Sequence, residues 1–133
     1  MRNFFLNFVA IIILFSCTSV LMFSPPGSHP IIGKWIWKES IHVDNKRYFS
    51  TPKSNGSIKE IVFTEDGKII TYKNGVEIRI SKYVLSKGIS VFDQKEHDLI
   101  TFEGITYIVE RIDSNNLILA NNSFDGYRSK FSK

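Results

Sequence analysis

The chain from residue 31 onward consists of short apolar runs separated by polar turn residues. Residues 76–81 read Val-Glu-Ile-Arg-Ile-Ser, an alternation typical of a strand with one buried face and one wet face. The apolar positions then shift by one, to Tyr83 and Leu85, which predicts a β-bulge near Ser81-Lys82. No segment carries a sustained helical period, so the pattern predicts a chain made of strands.

About nine strands are predicted, mostly joined by short turns. Asn74-Gly75 is the clearest turn, because both central positions of a two-residue hairpin need positive φ. Glu65-Asp66-Gly67 is a second hairpin signal, whereas the segment 45–57 is too polar for a strand throughout and is predicted as a long loop at the open end of a barrel. The predicted strands are 34–43, 59–64, 68–73, 76–85, 89–92, 99–102, 105–112, 117–121 and 127–131. This arrangement predicts an all-β, antiparallel up-and-down barrel of 8–9 strands.

Composition agrees with this fold class. The 133 residues include 19 Ile, 11 Phe and 5 Tyr but only two Ala, which favours β-structure over helix. Hydrophobic residues make up 43% and charged residues 23%, so a folded core is expected, and the length allows one domain. The net charge of +4 is spread along the chain without a basic run, so no nucleic-acid partner is predicted.

The first segment predicts export. An almost unbroken apolar run, residues 4–15, follows Met1-Arg2-Asn3, which is the order of regions in a secretory signal. Cys17 lies just after this run and is the only cysteine, so no intramolecular disulfide can form. Three of the four prolines lie in residues 24–30 and predict a short, stiff tether. The expected organisation is a signal over 1–16, a tether over 17–30 and one barrel domain over 31–133.

The sequence Leu14-Phe15-Ser16-Cys17 resembles the lipobox of bacterial lipoproteins. That resemblance implies cleavage before Cys17, acylation of its thiol and new amine, and a membrane partner reached through these acyl chains. No acidic residues directly follow Cys17, which within such lipoproteins implies the periplasmic face of the outer membrane. Two alternatives remain open: an uncleaved transmembrane helix over residues 4–23, and cleavage near Thr18 or Ser19 that releases a soluble protein.

The exported part has its own family resemblance. Gly33-Lys34-Trp35 resembles the Gly-x-Trp of lipocalin-type barrels, and residues 63–68, 72–75 and 125–127 are similar to segments of small lipocalin-like lipoproteins of the Bacteroidetes type. The resemblance extends from Ile31 to Phe131. It implies a lipocalin-like barrel with Trp35 packed at its floor. Its motifs indicate the fold and not a ligand, and the binding of a small hydrophobic ligand in the cell envelope is the first functional hypothesis.

No catalytic or metal-binding motif is found in the sequence. His29, His42 and His97 are scattered without zinc-ligand spacing. A lipidated Cys17 cannot act as a nucleophile, and no Gly-x-Ser-x-Gly turn is present. Residues 113–116 carry hard oxygen ligands but lack the length of a calcium loop, and they predict a polar turn. We therefore expect no enzyme activity, no metal and no cofactor.

The inward-facing aromatic side chains leave two main functions open. A small barrel can fill its interior with its own side chains and act through its surface, as an inhibitor or as a partner of another envelope protein. Alternatively, the aromatic residues line a site for an apolar ligand, and Trp37, Tyr72 and Tyr107 are the predicted wall. An enzyme without a motif would need titratable groups that converge in one cleft. The protein is expected to be a monomer.

Overall fold

The computed structural model describes residues 29–133, which form one antiparallel β-sheet and one short helix. The strands are β1 (Gly33–His42), β2 (Phe49–Ser50), β3 (Lys59–Phe63), β4 (Lys68–Lys73), β5 (Val76–Ile89), β6 (Glu96–Phe102), β7 (Ile105–Ile112), β8 (Asn116–Asn121) and β9 (Tyr127–Ser132), with the helix α1 (Pro52–Asn55) between β2 and β3. Within residues 29–133 no helix is long and apolar enough to cross a membrane.

Strand β1 closes the sheet into a barrel. Its first half pairs with β3 and the stretch Ile36–His42 pairs with β9, with an irregularity between Trp37 and Glu39. Eight strands thus form a closed up-and-down barrel. The extra strand β2 pairs with the C-terminal part of β1, at Ser40 and Ile41. The predicted lipocalin-like barrel is confirmed. Because closure and core both lie within residues 29–133, this part has what an independently folding domain needs.

Local turn chemistry agrees with the sequence prediction. Asn74 and Gly75 have φ angles of 51° and 78°, as a two-residue hairpin between β4 and β5 requires. Glu103 and Gly104 repeat the same geometry between β6 and β7, with φ angles of 54° and 78°. Both turns lie at the same end of the barrel, because β4 and β6 run toward this end and β5 and β7 run away from it.

The predicted burial of β5 is wrong. Ile78 and Ile80 are 53% and 55% exposed, because Ile80 pairs with the outward-facing Ile70. Arg79, Ser81 and Tyr83 alternate with them on the inner face. The apparent shift in apolar phase therefore needs no bulge at Ser81-Lys82. The irregularity lies instead between the pairs Thr71–Arg79 and Tyr72–Glu77, and it leaves Ile78 as the extra residue.

The run 89–92 is not a separate strand. Strand β5 ends at Ile89 and β6 begins at Glu96. The loop between them packs on the outside of the barrel: the amide of Val91 donates to Asn122 Oδ1 at 2.8 Å, and Phe92 meets Phe124 edge-on at 5.6 Å. Three outward side chains on the neighbouring strands are buried in this region, namely Leu99, Ile108 and Ala120.

One end of the barrel is filled by its own side chains. Trp35 is fully buried, and its indole N–H donates to the carbonyl of Ile31 at 2.8 Å. The ammonium of Lys133 lies 4.5 Å from the centre of the Trp35 ring and covers it from outside. The remaining buried members of this core are Ile31, Ile61, Phe63, Ile69, Tyr83, Ile100, Leu117 and Leu119. This packing agrees with the predicted role of Trp35 at the barrel floor.

Candidate functional site

The other end of the barrel contains a cavity of about 650 Å³. This volume lies within the range of about 300–1,000 Å³ that small-molecule sites occupy. Along β3 the inward positions change from Lys59 at the mouth, through Ile61, to the fully packed Phe63. Along β9 the inward positions run from Tyr127 at the mouth, through Ser129, to Phe131 deeper in the barrel. The cavity therefore has a polar mouth and an apolar base.

The segment between β1 and β3 borders the mouth, as predicted for residues 45–57. Tyr48, Phe49, Ser50 and Asn55 contribute to the lining, although Tyr48 and Phe49 are largely exposed. The segment also contains β2 and the single-turn helix α1, which the sequence did not indicate. Thr51 caps this helix by accepting a hydrogen bond from the backbone N–H of Ser54 at 3.1 Å.

Trp37 is held in a fixed orientation on the cavity wall. Its indole N–H donates to Ser40 Oγ at 2.9 Å, and Ser40 Oγ is in turn 2.7 Å from Ser129 Oγ. The Lys59 ammonium lies 5.1 Å from the centre of the Trp37 ring, within the range of a cation–π contact. On the opposite part of the wall, neighbouring aromatic rings stack against each other.

That stack consists of Phe102 and Tyr107, whose ring centres are 4.7 Å apart at an interplanar angle of 21°. Burial raises the pKa of the Tyr107 hydroxyl, and the nearby Glu103 carboxylate raises it further while Arg79 lowers it. The phenol is therefore neutral across the physiological pH range and can donate a hydrogen bond into the cavity.

Two oppositely charged side chains at the mouth, Arg79 and Glu103, form an ion pair. Arg79 Nε lies 2.5 Å from Glu103 Oε1, and the Ser81 hydroxyl donates to the same oxygen at 2.9 Å. The inner face of β5 thus carries polar groups into the barrel, where a filled interior would require apolar ones. A wet or ligand-filled space at this end explains why the polar face of β5 points inward.

The structure brings together two of the three predicted site residues. Trp37 and Tyr107 line the cavity, whereas Tyr72 does not. Tyr72 pairs with Glu60 and Glu77 and alternates with the cavity-lining Thr71, so it faces outward. The predicted lipidation site, Cys17, lies outside the described residues.

Sequence reasoning missed several cavity residues. Lys59, Arg79 and Glu103 line the cavity, and the sequence pattern singled out none of them. The signal that could have found them is the Asn74-Gly75 turn, because it fixes which strand ends share the open end of the barrel. The remaining lining residues are Ile69, Ile105, Leu119, Asn121 and Phe131.

The histidines form no metal site in the part of the chain that the structure describes. Over residues 29–133, no three His, Cys, Asp or Glu side chains approach one another closely enough to hold an ion. His97 Nε2 lies 2.7 Å from Asp93 Oδ2, and hydrogen bonds from the Lys95 amide and from His97 lower the pKa of Asp93. His42 Nδ1 accepts from the amide of Asn45 at 3.1 Å. These contacts stabilise loops.

Comparisons of the chain with known protein families, with curated proteins and with solved structures found no match. The similarity to small lipocalin-like lipoproteins therefore stays a prediction, and the geometry of the cavity carries the functional argument.

Proposed function

We propose that this protein is a binding module that takes up a small, largely apolar molecule in the cavity of its barrel. The single observation that carries the proposal is the contrast between the two barrel ends. One end is packed around the fully buried Trp35, whereas the other keeps about 650 Å³ of space behind an aromatic wall. A barrel selected only as a rigid surface would gain stability by filling this space.

Binding can be tested with a neutral apolar fluorophore, N-phenyl-1-naphthylamine, which brightens on leaving water. We expect residues 29–133 to bind it at one site. Thr71→Trp places a large ring inside the cavity and should weaken binding by about tenfold or more, because the ligand loses the volume it occupies. Ile70→Trp is the matched control, since Ile70 precedes Thr71 on β4 and faces outward.

Equal binding by the two variants would contradict the proposed site, and an absence of binding to the unmodified barrel would contradict the proposed function. Circular dichroism of each variant checks that the β-structure is retained.

We also propose that the barrel is exported and anchored to the outer membrane by acyl chains on Cys17. The apolar run over residues 4–15 and the Leu-Phe-Ser-Cys sequence that ends it support this proposal. Acyl chains contribute about 0.8 kcal/mol per buried CH₂, so two or more of them hold a protein stably on a bilayer. Cys17→Ser should abolish labelling by an alkynyl fatty acid and move the protein out of the membrane fraction. Unchanged labelling would show that Cys17 is not the acceptor.

One observation favours the alternative function, a protein-interaction module of the envelope. Val76, Ile78, Ile80 and Val84 on β5 are each more than half exposed, an arrangement that marks interaction surfaces when it is contiguous. A photo-crosslinker at position 80 should then give one discrete adduct in the host envelope. The same crosslinker at the exposed position 130 is the control, and identical patterns from both positions would rule the alternative out.

A further inference from the structure

The cavity is lined by more positively charged than negatively charged side chains. Two cationic side chains, Lys59 and Arg79, and one anionic side chain, Glu103, are among its lining residues. Glu103 is already paired with Arg79, and the same carboxylate oxygen accepts from the Ser81 hydroxyl. Within residues 29–133, no carboxylate lies within ion-pair distance of the Lys59 ammonium. The cavity therefore carries one positive charge without a counter-charge.

Lys59 is positioned over an aromatic ring and not over an acid. Its ammonium lies 5.1 Å from the centre of the Trp37 ring. Trp37 itself is fixed by its hydrogen bond to Ser40, so the ring holds the ammonium at the mouth. Cation–π contact compensates only part of an ammonium's need for partners, and three N–H donors remain available to a ligand.

The neighbouring hydroxyl pair offers another donor. Ser40 and Ser129 carry two hydroxyl protons, and the contact between their oxygens uses one of them. Trp37 supplies its own proton to Ser40 Oγ. Among the contacts of the described residues, the second hydroxyl proton has no acceptor. On this side of the cavity, the polar groups without a partner are therefore mainly hydrogen-bond donors.

We propose that the ligand is an acidic amphiphile, a molecule with an apolar body and one carboxylate or a similar anionic group, and that Lys59 binds this group at the cavity mouth. The inference rests on the proposed ligand-binding function. The acidic group would lie beside Lys59 and the serine hydroxyls, and the body would extend toward the apolar base formed by Ile61, Leu119 and Phe131. This orientation follows the gradient from Lys59 to Phe63 along β3.

The test compares two probes with the same apolar body, decanoate and 1-decanol, as displacers of N-phenyl-1-naphthylamine from residues 29–133. We expect decanoate to displace the fluorophore at an about tenfold lower concentration than decanol, since a charge-assisted hydrogen bond at a partly solvated site contributes on that order. The preference should weaken as ionic strength rises.

Three variants locate the effect. Lys59→Met should remove the preference for decanoate while decanol still displaces the fluorophore, and Lys59→Arg should retain it. Lys82→Met is the matched control, because it removes an equal charge from the outer face of β5, and it should change neither value.

Equal displacement by decanoate and decanol would overturn the acidic-ligand inference and leave the binding function intact. A preference that survives Lys59→Met would overturn the assignment to Lys59. Failure of the fluorophore to bind at all would instead contradict the proposed function itself.

Discussion

At the scale of single residues, the two tryptophans of β1 have different roles although they share one face of the strand. Trp35 is fully enclosed at the filled end, with its N–H bonded to a backbone carbonyl. Trp37 borders the cavity, and its N–H is bonded to a serine that also borders it. The first residue is therefore a core residue and the second a wall of the site.

Substitution should separate these two roles. Trp35→Ala should lower the free energy of unfolding by about 3–5 kcal/mol, the usual cost of emptying a packed tryptophan site. Trp37→Ala should cost less stability, because it enlarges a space that already exists, and should weaken binding of the apolar fluorophore. Urea denaturation and fluorophore titration measure the two effects. If Trp35→Ala were nearly neutral, the assignment of the filled end would be wrong.

The conformation of a single residue could be predicted from the sequence where residues next to it in the chain determine it. Asn74-Gly75 could be predicted because the turn geometry is set by those two residues alone. Asp113 likewise accepts hydrogen bonds from the amides of Asn115 and Asn116, which lower its pKa to about 2. The polar turn predicted for residues 113–116 is thus confirmed. The inward position of Lys59, in contrast, depends on barrel closure and could not be read from its neighbours in sequence.

At the scale of elements, β5 shows what an alternating pattern cannot decide. Alternation indicates two unlike faces, but it does not say which one points inward. The apolar face of β5 was assigned to the core, whereas Arg79 and Ser81 point inward because Glu103, more than twenty residues later, supplies their partner. A polar inner face is permitted only where the barrel is not filled. The wrong burial prediction for β5 and the missed cavity therefore have the same physical cause, namely that side chains do not fill this end of the barrel.

The loop between β5 and β6 gives an element-scale prediction. Asn122 holds it twice: Oδ1 accepts from the Val91 amide, and Nδ2 donates to the Ile89 carbonyl at 2.9 Å. Asn122→Ala should therefore lower the free energy of unfolding by about 1 kcal/mol, since two partly exposed hydrogen bonds are lost. It should also speed amide hydrogen exchange over residues 90–95, because the loop no longer stays against the barrel.

Ser123→Ala is the control for this loop, because Ser123 makes one long hydrogen bond, 3.3 Å, to the amide of Asp125 within its own turn. Exchange over residues 90–95 that is the same in both variants would show that Asn122 does not hold the loop.

At the scale of the whole molecule, the barrel combines an end packed with side chains and an open end that contains a cavity. Short antiparallel connections bring four chain segments to the open end, so residues as distant as Lys59 and Ser129 share one cavity. The sequence predicted the antiparallel barrel, its closure and the position of the long loop, because these follow from periodicity and turns, whereas it predicted a strand over 89–92 that is absent and missed β2. Cavity volume could not be predicted, because it depends on how all inward side chains fit together.

The central claim, that the open end of the barrel holds a small acidic amphiphile, is tested most directly by native mass spectrometry. Residues 29–133 would be incubated with a lipid extract of the host envelope and measured beside the Thr71→Trp variant. The account predicts a one-to-one adduct of defined mass on the unmodified barrel, ionising as an acid after release, and little adduct on the variant. A bare barrel, or an adduct that the variant retains, would contradict the account.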